Sequence, residues 1–343
     1  SYAAITQNAA QNTYYPGVFV DGIDLGGMTR EEAIALFGDR QQQTSDAFSL
    51  VVQSGERKWR ITSGEVPMTF DVQTVLEAAY NVGRYGTLEE RLAAIDDAAQ
   101  NGVSFTTGFS YDRAAIDKLV DIIADSLEYD ATDATLAAFD VQTRTFTFSD
   151  AKPGYRVNRT ALQEEILAAL DEGAYDRVIT PKGESVEPTV TKDQLVGQFG
   201  LVSSFTTTTT KDKDRNNNIE ISAAALNGRM VKPGDTMSFN DCTGQRTGEK
   251  GYREAGAIAG GMLVDDTGGG VCQTSSTLFN AVVRADLEIV KRSAHSWPSS
   301  YVNKGEDATV NWPSLDFVFR NNGDYPVFVI AWYEEQTVTV QIY

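Results

Sequence analysis

Residues 70–83 read FDVQTVLEAAYNVG, and residues 155–173 read YRVNRTALQEEILAALDEG. Both run aromatic, any residue, valine, and then apolar residues at helical spacing. That pattern gives a short extended piece feeding a helix. Gly173 is a natural stop for the second helix, because glycine enters the left-handed region without a Cβ penalty. Working outward, TREEAIALF predicts a helix capped by Thr29, with Glu32 three residues on in a capping box. In FSLVVQSGERKWRIT, Phe48, Leu50 and Val52 alternate, Ser54-Gly55 turns, and Trp59 and Ile61 alternate back. That is a hairpin. A further helix is expected over 87–100, ending near Asn101-Gly102.

The order returns from Phe109. Ile116, Leu119, Val120, Ile123 and Leu127 share one helical face, and ATLAAFDVQTRTFTFS (134–149) is again a hairpin candidate. The expected organisation is a tail (1–14), two related small α+β modules (15–104 and 105–190), and a third region (191–343). PKGESVEPTV (181–190) reads as a polar connector between the second module and the third region.

The third region reads as a mixed α+β domain rich in antiparallel strands. SSFTTTTTK (203–211) is β-branched and extended, and NNNIEISAAALNGR (216–229) is a short helix ending at Gly228. Residues 243–261 are glycine-rich and charged, with no element assigned. A helix starts close to Cys272, with Leu278, Val282 and Leu287 expected on one face. The last fifty residues read as strands: EIVKRSAHSW, LDFVFR, YPVFVIAWY and TVTVQIY, with turns at 321–324 and at Glu334-Glu335.

Composition bounds the function. Hydrophobic residues make up 41% of the 343, enough for real cores. The net charge is −19, from 48 acidic and 29 basic side chains. Such a chain repels phosphate backbones, which argues against a nucleic-acid partner. The surplus itself reads as a solvated acidic surface. No apolar run is long enough to span a bilayer. The opening SYAAITQNAAQNTYYPG is polar and lacks Met, so it reads as the cut end of a longer chain whose leader or anchor has been removed. Two cysteines are too few for a disulfide framework, and one histidine argues against a catalytic zinc site. No P-loop or dinucleotide fingerprint stands out, so no metal or cofactor is expected.

GGGVCQTSSTLFN (268–280) carries the chemistry. Glycines before a helix let backbone N–H groups face an anion, and a cysteine at a helix N-terminus has its thiolate favoured. The single histidine, His295, lies 23 residues downstream, within reach if a helix and a returning strand intervene. Asp307 or Asp316 would orient its ring. Asp307 is preferred, because it sits in a loop-like stretch rather than mid-strand. Three readings of Cys272 stay open on spacing alone: nucleophile, disulfide partner of Cys242, or small buried residue.

From about Phe205 to Tyr343 the chain resembles a VanW-family domain. The matching words are NIE with LNG (218–228), VKPGDTMSFN (231–240), GQRTGEKGYREA (244–255), GGGVCQTSSTLFNAV (268–282), HSWPSSYV (295–302), GEDATV (305–310) and LDFVFRNN (315–322). Upstream, GVFVDGIDLGGMTREEA (17–33), YDRAAIDKLV and KPGYRVNRTAL (152–162) resemble peptidoglycan-binding modules. Cys242 departs from the family pattern. The resemblance implies an exported Gram-positive protein, associated with the cell wall and anchored by one N-terminal segment. Its family was named from glycopeptide-resistance clusters. Similar upstream modules also precede cysteine L,D-transpeptidase domains of a different fold. The implied partners are peptidoglycan stem peptides and glycan. The implied chemistry is L,D-transpeptidation giving 3→3 cross-links through a thioester on Cys272. Here His295 is the acid–base group, Asp307 its orienter, and N–H groups at Gly270, Val271 and Gln273 the oxyanion donors. Arg246, Tyr252, Ser296 and Trp297 are the candidate substrate contacts. The alternatives are a Cys–His carboxypeptidase or endopeptidase, and a non-catalytic wall-binding scaffold.

Overall fold

A computed structural model describes residues 12–259 and 262–343. Most of the expected tail therefore lies outside the described residues. The chain is α+β and forms two compact units, residues 1–132 with 152–188, and residues 133–151 with 189–343.

In the first unit, local signals set the helices. Arg30–Ala47 and Leu88–Asn101 both begin with reciprocal capping boxes, Thr29 with Glu32 and Thr87 with Glu90. Helix Val72–Tyr80 follows Phe70 as expected, and helix Arg159–Asp171 is followed by Gly173 at φ +68°. Helix Arg113–Leu127 buries Ile116, Val120, Ile123 and Ala124. Two cores form. One gathers Tyr14, Tyr15, Val18, Leu25, Phe37, Leu76 and Ala98. The other joins Leu50, Val52 and Ile61 of the hairpin Ser49–Ser54/Arg57–Thr62 to Ile116, Ile123, Leu162 and Ile166. So the hairpin of the first expected module packs with helices of the second. The reason lies in helix Arg30–Ala47, which buries only Ala33 and Phe37 and offers no apolar stripe to cover a sheet face. Strand Val178–Ile179 extends the hairpin in parallel. The expected connector is partly a strand: Gly183–Val186 pairs antiparallel with Gly154–Val157. The polar run of 181–190 hid this, because neither face of that strand is strongly apolar.

The second unit is built on a four-stranded antiparallel sheet. Its order is Ser203–Thr208, Thr337–Ile342, Val327–Glu334, Arg229–Val231. Helices Lys213–Leu226 and Val271–Arg284 lie on it around one core containing Ile219, Leu278, Ala281, Val329, Val338 and Val340. A smaller sheet orders Thr236–Ser238, Val318–Arg320, Glu288–Lys291. The hairpin Leu136–Asp140/Thr145–Phe148 belongs to this unit, with Phe139 4.5 Å from Phe328 by ring centroids. Two further expectations are corrected. Residues 243–261 carry strand Glu254–Ala259, paired with Met262–Thr267. Helix Val271–Arg284 stops short of Leu287, whose N–H closes back on the Val282 carbonyl. Among the described residues no helix is long and apolar enough to cross a membrane.

Candidate functional site

The triple glycine is dictated by geometry. Gly268 and Gly270 have φ of +89° and +106°, conformations that side chains rarely adopt. A Cβ on Gly269 would collide with the Ala255 carbonyl oxygen. Asn218, fully buried in helix Lys213–Leu226, donates to the Arg253 and Gly269 carbonyls at 2.8 and 2.9 Å and accepts from the Arg253 N–H at 2.8 Å. That side chain ties the loop to the neighbouring helix.

Gly270 caps helix Val271–Arg284, placing Cys272 in its first turn. The Val271 and Gln273 amides donate to Gly268 and Gly270 carbonyls at 3.3 and 3.0 Å. Among the described residues the Gly270 and Cys272 amides have no protein acceptor. Of the three expected oxyanion donors only Gly270 keeps a free N–H among the described residues, since Val271 and Gln273 are turned into the capping loop; Cys272 itself supplies the second free N–H.

The polar residues after Cys272 dock the segment that carries Asp307. Gln273 through Thr277 are all fully or almost fully buried. Gln273 Nε2 donates to Thr207 Oγ1 and to the Thr208 carbonyl, both at 2.9 Å. Ser275 and Ser276 hydroxyls donate to the Ala308 carbonyl at 2.5 and 3.3 Å, and Ser276 Oγ accepts the Ala308 N–H at 2.9 Å. Asn280 Nδ2 holds the Glu306 carbonyl at 2.8 Å. Residues 306–308 are thereby fixed along the helix, and Asp307 with them.

Asp307 meets His295. One carboxylate oxygen, Oδ2, accepts both the His295 backbone N–H and ring Nδ1 at 2.6 Å. Arg292 Nη2 stands 3.6 Å from the other oxygen, and Arg292 Nε donates to the Asp307 carbonyl at 2.9 Å. Ser299 Oγ also lies 3.2 Å from Nδ1. With Nδ1 so occupied, Nε2 is the nitrogen left to face sulfur, and His295 is close enough to Cys272 to pull its thiol pKa down. The sulfur also accepts the Val310 N–H at 3.5 Å and lies 3.6 Å from Thr309 Oγ1.

The electrostatics follow. Burial pushes the Cys272 thiol up, but hydrogen bonds from His295, the Val310 N–H and Thr309 outweigh it and bring the pKa below the ordinary thiol value. The bond to Cys272 raises His295; burial opposes and Asp307 adds to the rise. Burial also pushes the Asp307 carboxyl up, and the His295 N–H and ring overcome it, holding the carboxyl low. The three groups therefore favour thiolate, imidazolium and carboxylate together.

The remaining expected residues fall as follows. Asp316 serves elsewhere, accepting from the Ser238 hydroxyl and from the Asn240 and Phe317 amides. Both cysteines are free, and burial raises the Cys242 thiol. Arg246 is only 8% exposed and bonded to Asn240 Oδ1 at 2.8 Å. Tyr252 is 4% exposed with its hydroxyl unpartnered. Ser296 and Trp297 are exposed, the latter by 59%. Two residues with no role expected from the sequence line the site. Tyr301 is raised to about 12 by burial and the Cys272 charge, against hydrogen bonds from Ser299 and Ser276. Arg215 packs on Gly270, where a Cβ would come within 2.7 Å of its Cγ. No local signal marks either one, since both gain their roles from long-range packing.

Residues 214–343 match the family described as "VanW like protein", and residues 59–178 match that described as "Putative peptidoglycan binding domain". The chain is 37% identical over 184 residues to the uncharacterised protein YoaR of Bacillus subtilis, covering 52% of this chain and 59% of that one. It is 30% identical over 130 residues to the vancomycin B-type resistance protein VanW of Enterococcus faecalis, covering 36% and 47% respectively. The chain thus spans 59% and 47% of the lengths of these two relatives. No solved structure matches it significantly. The C-terminal domain of this chain, with Cys272, His295 and Asp307 in it, is VanW-like, and the region ahead of it carries the peptidoglycan-binding match.

Proposed function

We propose that this protein acts at the cell wall as a cysteine L,D-transpeptidase on peptidoglycan stem peptides. One observation carries the reading: a sulfur at a helix N-terminus, beside a histidine that lowers its thiol pKa and whose Nδ1 is held by a buried carboxylate. That is the arrangement of an activated nucleophile. The peptidoglycan-binding match supplies the substrate class, and the VanW-like match agrees with it. The first unit would hold wall polymer, and the second would do the chemistry.

In the first step Cys272 thiolate attacks the carbonyl carbon of the third stem residue. A C–S bond forms, and the oxyanion is held by the Gly270 and Cys272 N–H groups. The C–N bond to the terminal D-Ala breaks, and its nitrogen takes the proton from His295 Nε2. In the second step the side-chain amine of a third-position diamino acid on a neighbouring stem attacks the thioester. It gives a proton to His295, the C–S bond breaks, and the thiolate returns with a 3→3 cross-link made. Losing one oxyanion donor of this kind costs about 10²–10³ in rate.

The test is product analysis. Full-length protein is incubated with disaccharide tetrapeptide. The reading expects a cross-linked dimer and one D-Ala released per dimer, both absent for Cys272→Ala. Trimmed monomer alone would instead make the protein a carboxypeptidase, and unchanged substrate bound equally by both variants would make it a scaffold.

A further inference from the structure

Among the described residues Arg215 is a partly buried cation at this site with no ion pair and no side-chain hydrogen bond. It lies in the first turn of helix Lys213–Leu226, its stem against Gly270 and its guanidinium 5.9 Å from the Tyr301 ring centroid. Tyr301 in turn bonds Ser276 and Ser299, and Ser299 reaches His295. Among the described residues the Arg215 side chain makes no hydrogen bond and no ion pair, and its Nη1 is buried unpartnered. Nearby carboxylates are committed elsewhere. Asp212 caps the helix and Asp214 pairs with Arg253 at 3.3 Å. Arg246, on the Gly268 side of the same loop, is more than nine-tenths buried with Nε unpartnered, and the Tyr252 hydroxyl beside it has no partner either.

The charges do not close without a ligand. Thiolate and imidazolium cancel, as do Asp307 and Arg292, which leaves Arg215 and Arg246 uncancelled. Burying a cation without a partner is costly. Among the described residues no carboxylate forms an ion pair with either arginine, although Asp212 lies near Arg215 and Asp316 near Arg246. Arg246 is at least held by Asn240 Oδ1 and the Gly244 carbonyl, which leaves Arg215 as the cation open to one anionic group arriving with the substrate. On an acyl donor, the carboxylate of a single departing residue lies about one residue step, ~3.8 Å, beyond the scissile carbonyl. The Arg215 stem packs on Gly270, the N-cap of the helix whose first turn carries Cys272.

Resting on the acyl-transfer reading above, we propose that Arg215 is a specificity residue that binds the free α-carboxylate of the leaving residue. The site then takes donors cleaved one residue from a free C-terminus and discriminates against amidated or internal bonds.

The test uses the full chain and two donors, a stem tetrapeptide with a free C-terminal carboxylate and the same peptide as its carboxamide. Acylation of Cys272 is followed by intact mass for wild type, Arg215→Lys and Arg215→Met, with thermal melts confirming folding. Amidation should lower wild-type kcat/KM by about 10- to 100-fold, the scale of a charge-assisted hydrogen bond. Arg215→Met should lose that much on the free acid and nothing on the amide, and Arg215→Lys should recover part of it. Equal slowing of both donors, with an upward move in the pH profile of iodoacetamide alkylation, would instead assign Arg215 to the thiolate and overturn the proposal. If neither donor acylates Cys272, the acyl-transfer reading fails. The carboxylate preference is then read by calorimetric titration of Cys272→Ala with both peptides, where equal affinity overturns the Arg215 assignment.

Discussion

Replacing Asp307 by asparagine removes one charge and almost no volume. Asp307 Oδ2 accepts both the backbone N–H and Nδ1 of His295 at 2.6 Å. Unit charges about 4 Å apart in an effective dielectric of about 20 attract by roughly 4 kcal/mol. An amide oxygen in the same place still accepts a hydrogen bond worth about 1 kcal/mol. The imidazolium therefore loses about 3 kcal/mol, which lowers the His295 pKa by about 2. Cys272 depends on that imidazolium, so its thiol moves up toward the ordinary value. The assay is the iodoacetamide alkylation rate of Cys272 against pH, read by peptide mass. Wild type should show its thiolate inflection below the usual thiol range, and Asp307→Asn should show it higher by about 1–2. Stability supplies a second reading. Because the Asp307 carboxyl is held low, its stabilisation is present above the unfolded carboxylate pKa of about 3.9 and lost as pH falls through the lower folded value. The difference in stability between wild type and variant should shrink in that acid window. Superimposable alkylation profiles for the two proteins would refute the reasoning.

Other expectations follow from the same geometry. Acyl transfer against pH should be bell-shaped, rising through the lowered Cys272 value and falling as His295, raised, loses its proton; a flat profile from pH 5 to about 9 contradicts the pair. Gly269→Ala drives a Cβ into the Ala255 carbonyl and should cost about 1–3 kcal/mol in urea unfolding, with acylation reduced at least tenfold. Ser276→Ala strips the Ala308 N–H of its acceptor in a buried place and should cost about 1–3 kcal/mol, with the His295–Asp307 pair loosened and alkylation slowed. Cys242→Ser should leave the alkylation profile of Cys272 unchanged, since the Cys242 thiol is free and raised by burial.

Features with local causes were legible in the sequence. The capping boxes at Thr29 and Thr87, the helical face from Ile116 and the stop at Gly173 each depend on neighbours a few residues away. The triple glycine announced a tight loop before a helix, and Cys272, His295 and Asp307 lie together at its end. What escaped was set by distant partners. Strand Gly183–Val186 looks like a connector until Gly154–Val157 pairs with it. The hairpin from Glu254 is a different case: Gly260-Gly261 between two apolar runs is a local signal, masked by the charged residues on either side and by small residues that blunt the alternation. Arg246 reads as a candidate substrate contact in sequence, whereas Asn240 and the Gly244 carbonyl engage it in the fold. Arg215 gives the converse case: flanked by acidic residues in sequence, it makes no ion pair or side-chain hydrogen bond among the described residues, because Asp212 caps the helix and Asp214 pairs with Arg253.

The nucleophile itself is open to one direct measurement, the intact mass of full-length protein mixed with a free-acid stem tetrapeptide. An adduct equal to the stem less its last residue, mapped to Cys272 and released by hydroxylamine, is the expected result. No adduct on wild type, or the same adduct on Cys272→Ala, would contradict it.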